Sequence, residues 1–521
     1  MFPINVGVGG PPDASANGIK TFGIPTCTAK VRMHCIPISL RFALVLMAVP
    51  ASPARSAEWF QNTQPSKQVR RLIEVFASAA DNGLDPEDYH ASEWIARTMR
   101  ATRQEDDALN RTFTSDAERY TGDLRFGRIP ARTPEICAEI EKIVSALAIS
   151  ADPRVVLNGL DPPFPAYRRT LKVLEQYRRL ARAGDGQPIP PPAGSRREGD
   201  HWSGFQEVER RLRFFGDLPE GGELTDAVRR FQMRHGLATT GAIDRATVLA
   251  MNVPVAYRIR QIELTLERWR WAPRSFSYPP IVVNIPQFEL RAFDEVNRTA
   301  LRMKVVVGRA LGHRTPVFQA EMKYVIFNPW WEVPPSIAKR ELAPQFGRSA
   351  GELRKDNYEV VRRDGSLVTR EAVPTDVLER IRSGEFRVRQ APGARNALGS
   401  VKFIFPNSHN VYLHGTPTTE LFSRTRRDFS HGCIRVEHPE ELAKWVLRQR
   451  PEWTAERIHD GMSNGRTTTV TLSHAIPVLI VYGTAIVPES GEAHFLQDIY
   501  GLDATLDNQL HELKMRRTDG L

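Results

Sequence analysis

Apolar positions in the first third of the chain recur at helical spacing. Leu72, Ile73, Val75, Phe76 and Ala79 form one stripe, Ile140, Val144 and Leu147 a second, and Leu171, Leu174 and Leu180 a third. A helical domain is therefore predicted over 58–185, with Asn82-Gly83 closing its first segment before LDPEDY. It gathers no catalytic groups. The Pro/Gly-rich stretch 184–200 (GDGQPIPPPAGSRREGD) reads as a linker, which bounds this unit at 58–200. A second unit, 201–256, shows three short helical patterns. Val208, Leu212 and Phe215 mark the first. In the second, Thr225 stands where an N-cap is expected, Val228 and Phe231 form the buried face, and Gly236 ends the helix. Gly241 precedes the third, IDRATVLAMN. Three helices in about fifty residues make a binding module, too small for a catalytic cleft. The charged stretch RIRQIELTLERWRW (258–271) predicts a solvated helix face or a connector.

From Ile281 the period shortens to two. IVVNIPQFELRAF, LRMKVVVG and KYVIFNPWWEVP are β-branched and aromatic runs cut by Pro, Gly and Asn, and they read as strands. A mixed insertion follows over about 336–398, with a helix in TDVLERIRSG and two Gly-rich turns. Strand character returns in VKFIFP, NVYLHGT, TTTVTL and PVLIVYG, with the helix PEELAKWVLRQR among them. The third unit is set at 276–485, and 486–521 is taken as a C-terminal tail. An insertion placed just before the chemically loaded loops suits a lid over an active site. The architecture predicted is multi-domain α+β: a helical N-terminal domain, a three-helix module and a mainly-β domain with a lid insertion.

Composition narrows the class. The 521 residues are 41% hydrophobic and 25% charged, with four cysteines, which excludes a disordered chain and a disulfide-dense scaffold. A mean hydropathy of -0.37 excludes a multi-span membrane protein. Residues 1–57 read as an unstructured extension and a signal peptide. Met33 offers a second start, Arg41 precedes the apolar run from Phe42 to Val49, and small residues follow at Ala51 and Ala54. The run is well short of the roughly 20 residues a membrane span needs. Export is the expectation, with an uncleaved N-terminal anchor as the alternative. Cys27 and Cys35 precede the expected cleavage point, leaving Cys137 and Cys433. An oxidising compartment could join these two, yet the surroundings of Cys433 ask for a free thiolate.

Those surroundings are NVYLHGTPTTELFSRTRRDFSHGCIRVE, residues 410–437. Along NVYLHGT, alternation puts Tyr412 and His414 on one face and Val411 and Leu413 on the other. Ser430-His431-Gly432-Cys433 then forms a tight loop. A cysteine nucleophile needs a nearby base, and a neutral-range imidazole is the natural one. His414, His431 and Cys433 are also metal-ligand types, but no CxxC or HxxxH spacing supplies the remaining ligands. A Cys/His nucleophilic site without metal or other cofactor is the favoured reading.

His414-Gly415-Thr416-Pro417 followed by Ser430-His431-Gly432-Cys433-Ile434-Arg435-Val436 is similar to the signature of L,D-transpeptidases with a YkuD-type catalytic domain. TDAVRRFQMRHGL and TGAIDRATVLAMN resemble the three-helix peptidoglycan-binding domain. PWWEVP, the insertion and LDPEDY look like the large periplasmic branch of the family, in which a helical scaffold comes first. The resemblance implies Cys433 as nucleophile, His414 as general base and acid, and His431 as a residue orienting the loop. It implies oxyanion or substrate contacts for Tyr412, Gly432 and Ser430; Arg435 either steadies the loop or pairs with a substrate carboxylate, and the Trp330/Trp331 pair either lines the substrate groove or fills the core. It further implies a thioester on a tetrapeptide stem, release of D-Ala, and a 3→3 cross-link to a second stem. An L,D-carboxypeptidase or cross-link hydrolase would use the same site with water. A lipoprotein-attaching enzyme would use a lysine amine, and a wall-binding scaffold would use residues 201–256 alone. Expected partners are peptidoglycan stems and other wall-synthesis proteins. The expected location is the periplasm, peripheral to the inner membrane at most.

Charge adds a location. The chain carries a net charge of +10. Residues 276–480 hold 30 Lys and Arg against 22 Asp and Glu, so most of the excess surrounds the candidate site, Arg424, Arg426 and Arg427 included. A basic field of this kind suits an acidic polymer, and export argues against nucleic acid.

Overall fold

The computed structural model describes residues 58–99, 106–348 and 351–518. The signal-peptide and start-site readings, with Cys27 and Cys35, lie outside the described residues. No helix among the described residues is long and apolar enough to cross a membrane. The helical N-terminal region, the small helical module and the β-rich C-terminal region are all present.

The predicted N-terminal stripes are buried where the spacing put them. Leu72, Ile73 and Phe76 line α1 (Lys67–Ala77), and Ile140, Val144 and Leu147 line α3 (Pro134–Ile149). Both pack with α2 (Asp106–Phe126) around an aromatic core containing Trp59, Phe76, Phe113 and Tyr120. The third stripe behaves differently. Leu174 and Tyr177 of α4 (Pro165–Ala183) join a separate core with Ile262, Leu266 and Phe495. A helix contiguous with the first domain in sequence thus packs with elements some 80 to 320 residues later.

In the module, α5 (Phe205–Phe214), α6 (Leu224–Arg234) and α7 (Arg245–Met251) enclose Val208, Leu212, Val228, Phe231 and Val248. Thr225 is not the cap of α6. Glu223 holds the N-cap position, and the helix starts at Leu224, which the core buries. The Thr225 methyl instead lies against Gly241, whose φ of +73° suits glycine.

The charged stretch is α8 (Val255–Arg270), and it is a buried spine rather than a solvated face. Arg258, Gln261, Thr265, Glu267 and Arg270 are all buried. Glu267, with 0% exposure, accepts from the Arg128 backbone N–H at 2.5 Å and from Arg128 Nε at 3.1 Å. Arg270 lies at 3.7 Å on its other side and donates to Tyr167. Charges on this helix are buried because other elements bring their partners.

The C-terminal region is built on nine strands: β1 (Ile281–Asn284), β2 (Glu289–Phe293), β3 (Thr299–Gly308), β4 (Phe318–Phe327), β5 (Val401–Ile404), β6 (Leu413–His414), β7 (Asp428–Ser430), β8 (Ile434–Val436) and β9 (Thr468–Val481). Their order is β7-β3-β8-β6-β5-β4-β9-β1-β2, and β2 pairs back onto β3, closing the sheet on itself. The TTTVTL and PVLIVYG runs merge into the single strand β9, with a register shift between Thr471 and Ile476. Val305, Val325, Phe327, Val401, Phe403, Leu413 and Ile434 point into the core, each fully buried.

The insertion forms a small body with its own core. Strands Trp331–Glu332, Arg387–Gln390, Tyr358–Val361 and Leu367–Thr369 pair in that order. Helix Thr375–Ser383 packs on them through Val377, Leu378 and Ile381. The stretch beyond 486 is folded. It supplies strand His494–Phe495 and helix α9 (Leu502–Thr518), whose Arg517 pairs with Asp123 of the first domain at 3.0 Å.

Candidate active site

Strand register assembles the site. β6 pairs in parallel with β8, setting Leu413 beside Ile434 and His414 beside Arg435. β5 pairs antiparallel with β6, setting Lys402 opposite His414. Directly paired residues point to the same face, and positions two apart on a strand share it. Lys402, Tyr412, His414, Cys433 and Arg435 therefore converge on one face, while Val401, Phe403, Leu413 and Ile434 fill the core on the other.

The sulfur is held from two directions. Tyr412 donates to it through both its backbone N–H and its hydroxyl. The thiol itself donates to the Asn410 carbonyl at 3.7 Å. Burial pushes the Cys433 thiol up, and the Tyr412 hydrogen bonds with Lys402 and Arg435 pull against that. Cys433 and Cys137 are both free, so the alternative disulfide is not formed.

His414 is 5% exposed, and its Nδ1 lies 2.5 Å from the Gly415 carbonyl. A carbonyl accepts, so Nδ1 carries the proton and Nε2 is the basic nitrogen. Burial first, then the positive charges of Arg435 and Lys402, bring its pKa down to about 3. The imidazole is neutral at any working pH. Among the described residues the sulfur's hydrogen-bond partners are Asn410 and Tyr412, with the His414 ring 5.6 Å from the Tyr412 ring centre to centre.

The SHGC loop is fixed by one hydroxyl. Ser430 Oγ donates to the Cys433 carbonyl at 2.5 Å and accepts from the Gly432 N–H at 3.1 Å. Gly432 sits at φ +116°, a region side chains disfavour. Its N–H, expected to face an oxyanion, is occupied by Ser430. The N–H of Cys433 makes no hydrogen bond among the described residues. Behind the loop, Thr315 Oγ1 donates to the Gly432 carbonyl at 2.8 Å, and the Tyr500 hydroxyl donates to the Gly308 carbonyl at 2.5 Å.

His431 points to the lid, where Nε2 meets Glu341 at 2.6 Å, and its ring contacts His313 edge-on at 4.8 Å. Arg435 lines a pocket of about 330 Å³ between the sheet and the lid, with Tyr358, Gln390, Arg395 and Thr416 to Thr418. Its Nε is buried without a hydrogen-bond partner among the described residues. Trp330 stands half-exposed where the chain enters the lid, under the Arg389 guanidinium at 4.5 Å. Trp331 instead turns inward and bonds to the Tyr412 hydroxyl.

Sequence reasoning missed Lys402, Thr315 and Tyr500. Lys402 had a signal, being the one charge in the apolar run VKFIF. Tyr500 lies in the stretch taken as a tail, and nothing local marks it.

A thiol, a neutral imidazole and a donor-lined pocket on one face of a closed sheet define a candidate acyl-transfer site. Residues 279–472 match the family model described as the L,D-transpeptidase catalytic domain (YkuD). Residues 54–174 match a scaffold domain, and 203–251 match a "Putative peptidoglycan binding domain". A Haemophilus influenzae protein named "Putative L,D-transpeptidase" is 33% identical over 227 residues, covering 44% of this chain and 45% of that protein. The aligned stretch thus spans less than half of the relative's length. The chain carries an L,D-transpeptidase catalytic domain of the YkuD family, behind a peptidoglycan-binding domain.

Proposed function

We propose that this protein forms 3→3 cross-links in peptidoglycan through a Cys433 acyl-enzyme, acting outside the cytoplasm. The observation that carries the reading is the convergence of Cys433, Tyr412 and His414 on one strand face, beside a pocket roofed by the lid and lined by Arg395, Arg435 and Asp356. The Sγ proton passes to His414 Nε2, and the sulfur attacks the carbonyl joining the L-centre of meso-diaminopimelate to the terminal D-Ala of a tetrapeptide stem. His414 returns that proton to the departing D-Ala amine, leaving a thioester. The side-chain amine of a second stem attacks the thioester, loses a proton to His414, and the thiol is restored. Dividing one amide exchange into two thioester steps is the gain from covalent catalysis.

The oxyanion role falls to the Cys433 N–H, with Ser430 and Gly432 holding the loop that aims it. Arg435 suits a stem carboxylate, because it lines the pocket and its buried Nε has no hydrogen-bond partner among the described residues. His431 ties the loop to the lid through Glu341, and Trp330 offers a flat apolar wall at the entrance. The 203–251 domain would keep the enzyme on its polymer.

The test is incubation of the full chain with disaccharide-tetrapeptide, with and without Cys433→Ala, read by mass spectrometry. Dimer with released D-Ala, lost in the variant, is the expected result. Tripeptide alone would make the protein an L,D-carboxypeptidase, no product from wild type would leave a wall-binding scaffold, and an active variant equal to wild type would overturn Cys433 as the nucleophile.

A further inference from the structure

We propose that Lys402 is the cation that supports the Cys433 thiolate, an ammonium built into the floor of the site. The proposal rests on the reading of Cys433 as nucleophile.

Lys402 is the one charged residue of β5, and its neighbours Val401 and Phe403 are fully buried. A half-buried lysine is ordinarily matched by a carboxylate or reaches into water. Lys402 has no carboxylate partner among the described residues, although its Nζ is not sealed from solvent. The Nζ lies 3.8 Å from the centre of the Tyr412 ring. That ring belongs to the residue whose N–H and O–H both hydrogen bond to the sulfur. The indole N–H of Trp331 donates to the same hydroxyl, polarising it toward the sulfur. The sulfur therefore meets two donors from Tyr412 with an ammonium behind the ring. All three favour S⁻ over SH.

Other charges near the sulfur are less suited. His414 is neutral and gains charge only when it takes the proton. Arg435 shares the face, but its guanidinium lines the lid pocket. His431 in the loop is turned to Glu341. Glu332 and Arg309 stand further out, acting on Lys402 and Arg435 respectively. Burial lowers the Lys402 pKa, and the Cys433 charge raises it, so the two groups are coupled. In the reaction Lys402 keeps its protons. The Sγ proton goes to His414, the sulfur lone pair forms the C–S bond, and the ammonium supplies field alone.

The experiment follows iodoacetamide alkylation of Cys433 in the full chain against pH, by mass, for wild type, Lys402→Met and Lys402→Arg. Folding of each variant is checked by circular dichroism, with Lys402→Gln replacing the Met variant should that one unfold. The expected result is a midpoint raised by about one unit in Lys402→Met, hence about tenfold slower alkylation at pH 7.5, and restored in Lys402→Arg. Thioester formation from tetrapeptide should slow in kcat with KM little changed. A folded Lys402→Met with the wild-type profile would overturn the proposal, and so would a folded Lys402→Arg that resembles the Met variant. If transpeptidation survives in Cys433→Ala while the midpoint shift is observed, the nucleophile reading fails and the Lys402–thiol coupling stands.

Discussion

Cys433 should rest as a thiol beside a neutral imidazole, and the energy separating this state from a thiolate–imidazolium pair follows from the site. His414 is brought down to about 3. Burial pushes the thiol above the usual thiol value, which is about 8.5. With the usual thiol value as reference, and before the attraction between the two new charges is counted, moving the proton from sulfur to Nε2 in the empty site spans about 5.5 units, or about 7.5 kcal/mol. The ion pair is then on the order of a few molecules per million. A turnover of about one per second allows a total barrier of about 17 kcal/mol, so the transfer fits within it but takes nearly half. The assay is Cys433 alkylation by iodoacetamide from pH 4 to 10. The expected profile is a single rise with thiol ionisation and no reactive plateau below pH 7. His414→Gln should move that midpoint by less than about half a unit, because a neutral ring contributes no charge. The same variant should abolish acylation by tetrapeptide, which needs the base. A plateau at pH 5 to 7 that disappears in His414→Gln would refute the reasoning and establish a resting ion pair.

Further outcomes test the frame around the site. Glu267→Gln should destabilise by about 3–5 kcal/mol in chemical denaturation, because it leaves Arg128 and Arg270 without their shared buried counter-charge. Gly432→Ala should leave the fold intact, since the nearest atoms to its added Cβ are 3.9 Å away. It should nonetheless cut acylation at least tenfold, because φ +116° costs a side chain about 1–3 kcal/mol and the loop will relax. His414 also links stability to acidity. Its folded pKa lies below the unfolded 6.5, so the unfolded chain binds the extra proton and stability falls as pH drops from about 6.5 toward 3. The catalytic-domain transition should lose about 2 kcal/mol between pH 7.5 and 5 from this group, and His414→Gln should flatten that loss. Arg435→Met should raise KM for tetrapeptide by about tenfold or more if its guanidinium holds a carboxylate.

Much of this was local and therefore legible. Helical spacing at Leu72 to Phe76 and at Ile140 to Leu147 reports a buried face whatever lies across it. Alternation in VKFIF and NVYLHGT separates a core face from a site face, because the period of a strand is two. His414 and the SHGC loop stood out as residue types that a nucleophilic site requires. What the residues alone did not decide depends on partners far along the chain. The stripe RIRQIELTLERWRW looks the same whether water or Arg128 neutralises Glu267, and only packing made it a buried spine. The cap of α6 moved from Thr225 to Glu223 because burying Leu224 outweighed a hydroxyl cap. Tyr500 reaches the loop strand at Gly308 from beyond the expected end of the domain. Lys402 became part of the site only when β5 and β6 paired in the register that sets it against His414. Periodicity is a property of neighbours in sequence. Desolvation and charge pairing belong to neighbours in space, and those are what tuned the sulfur.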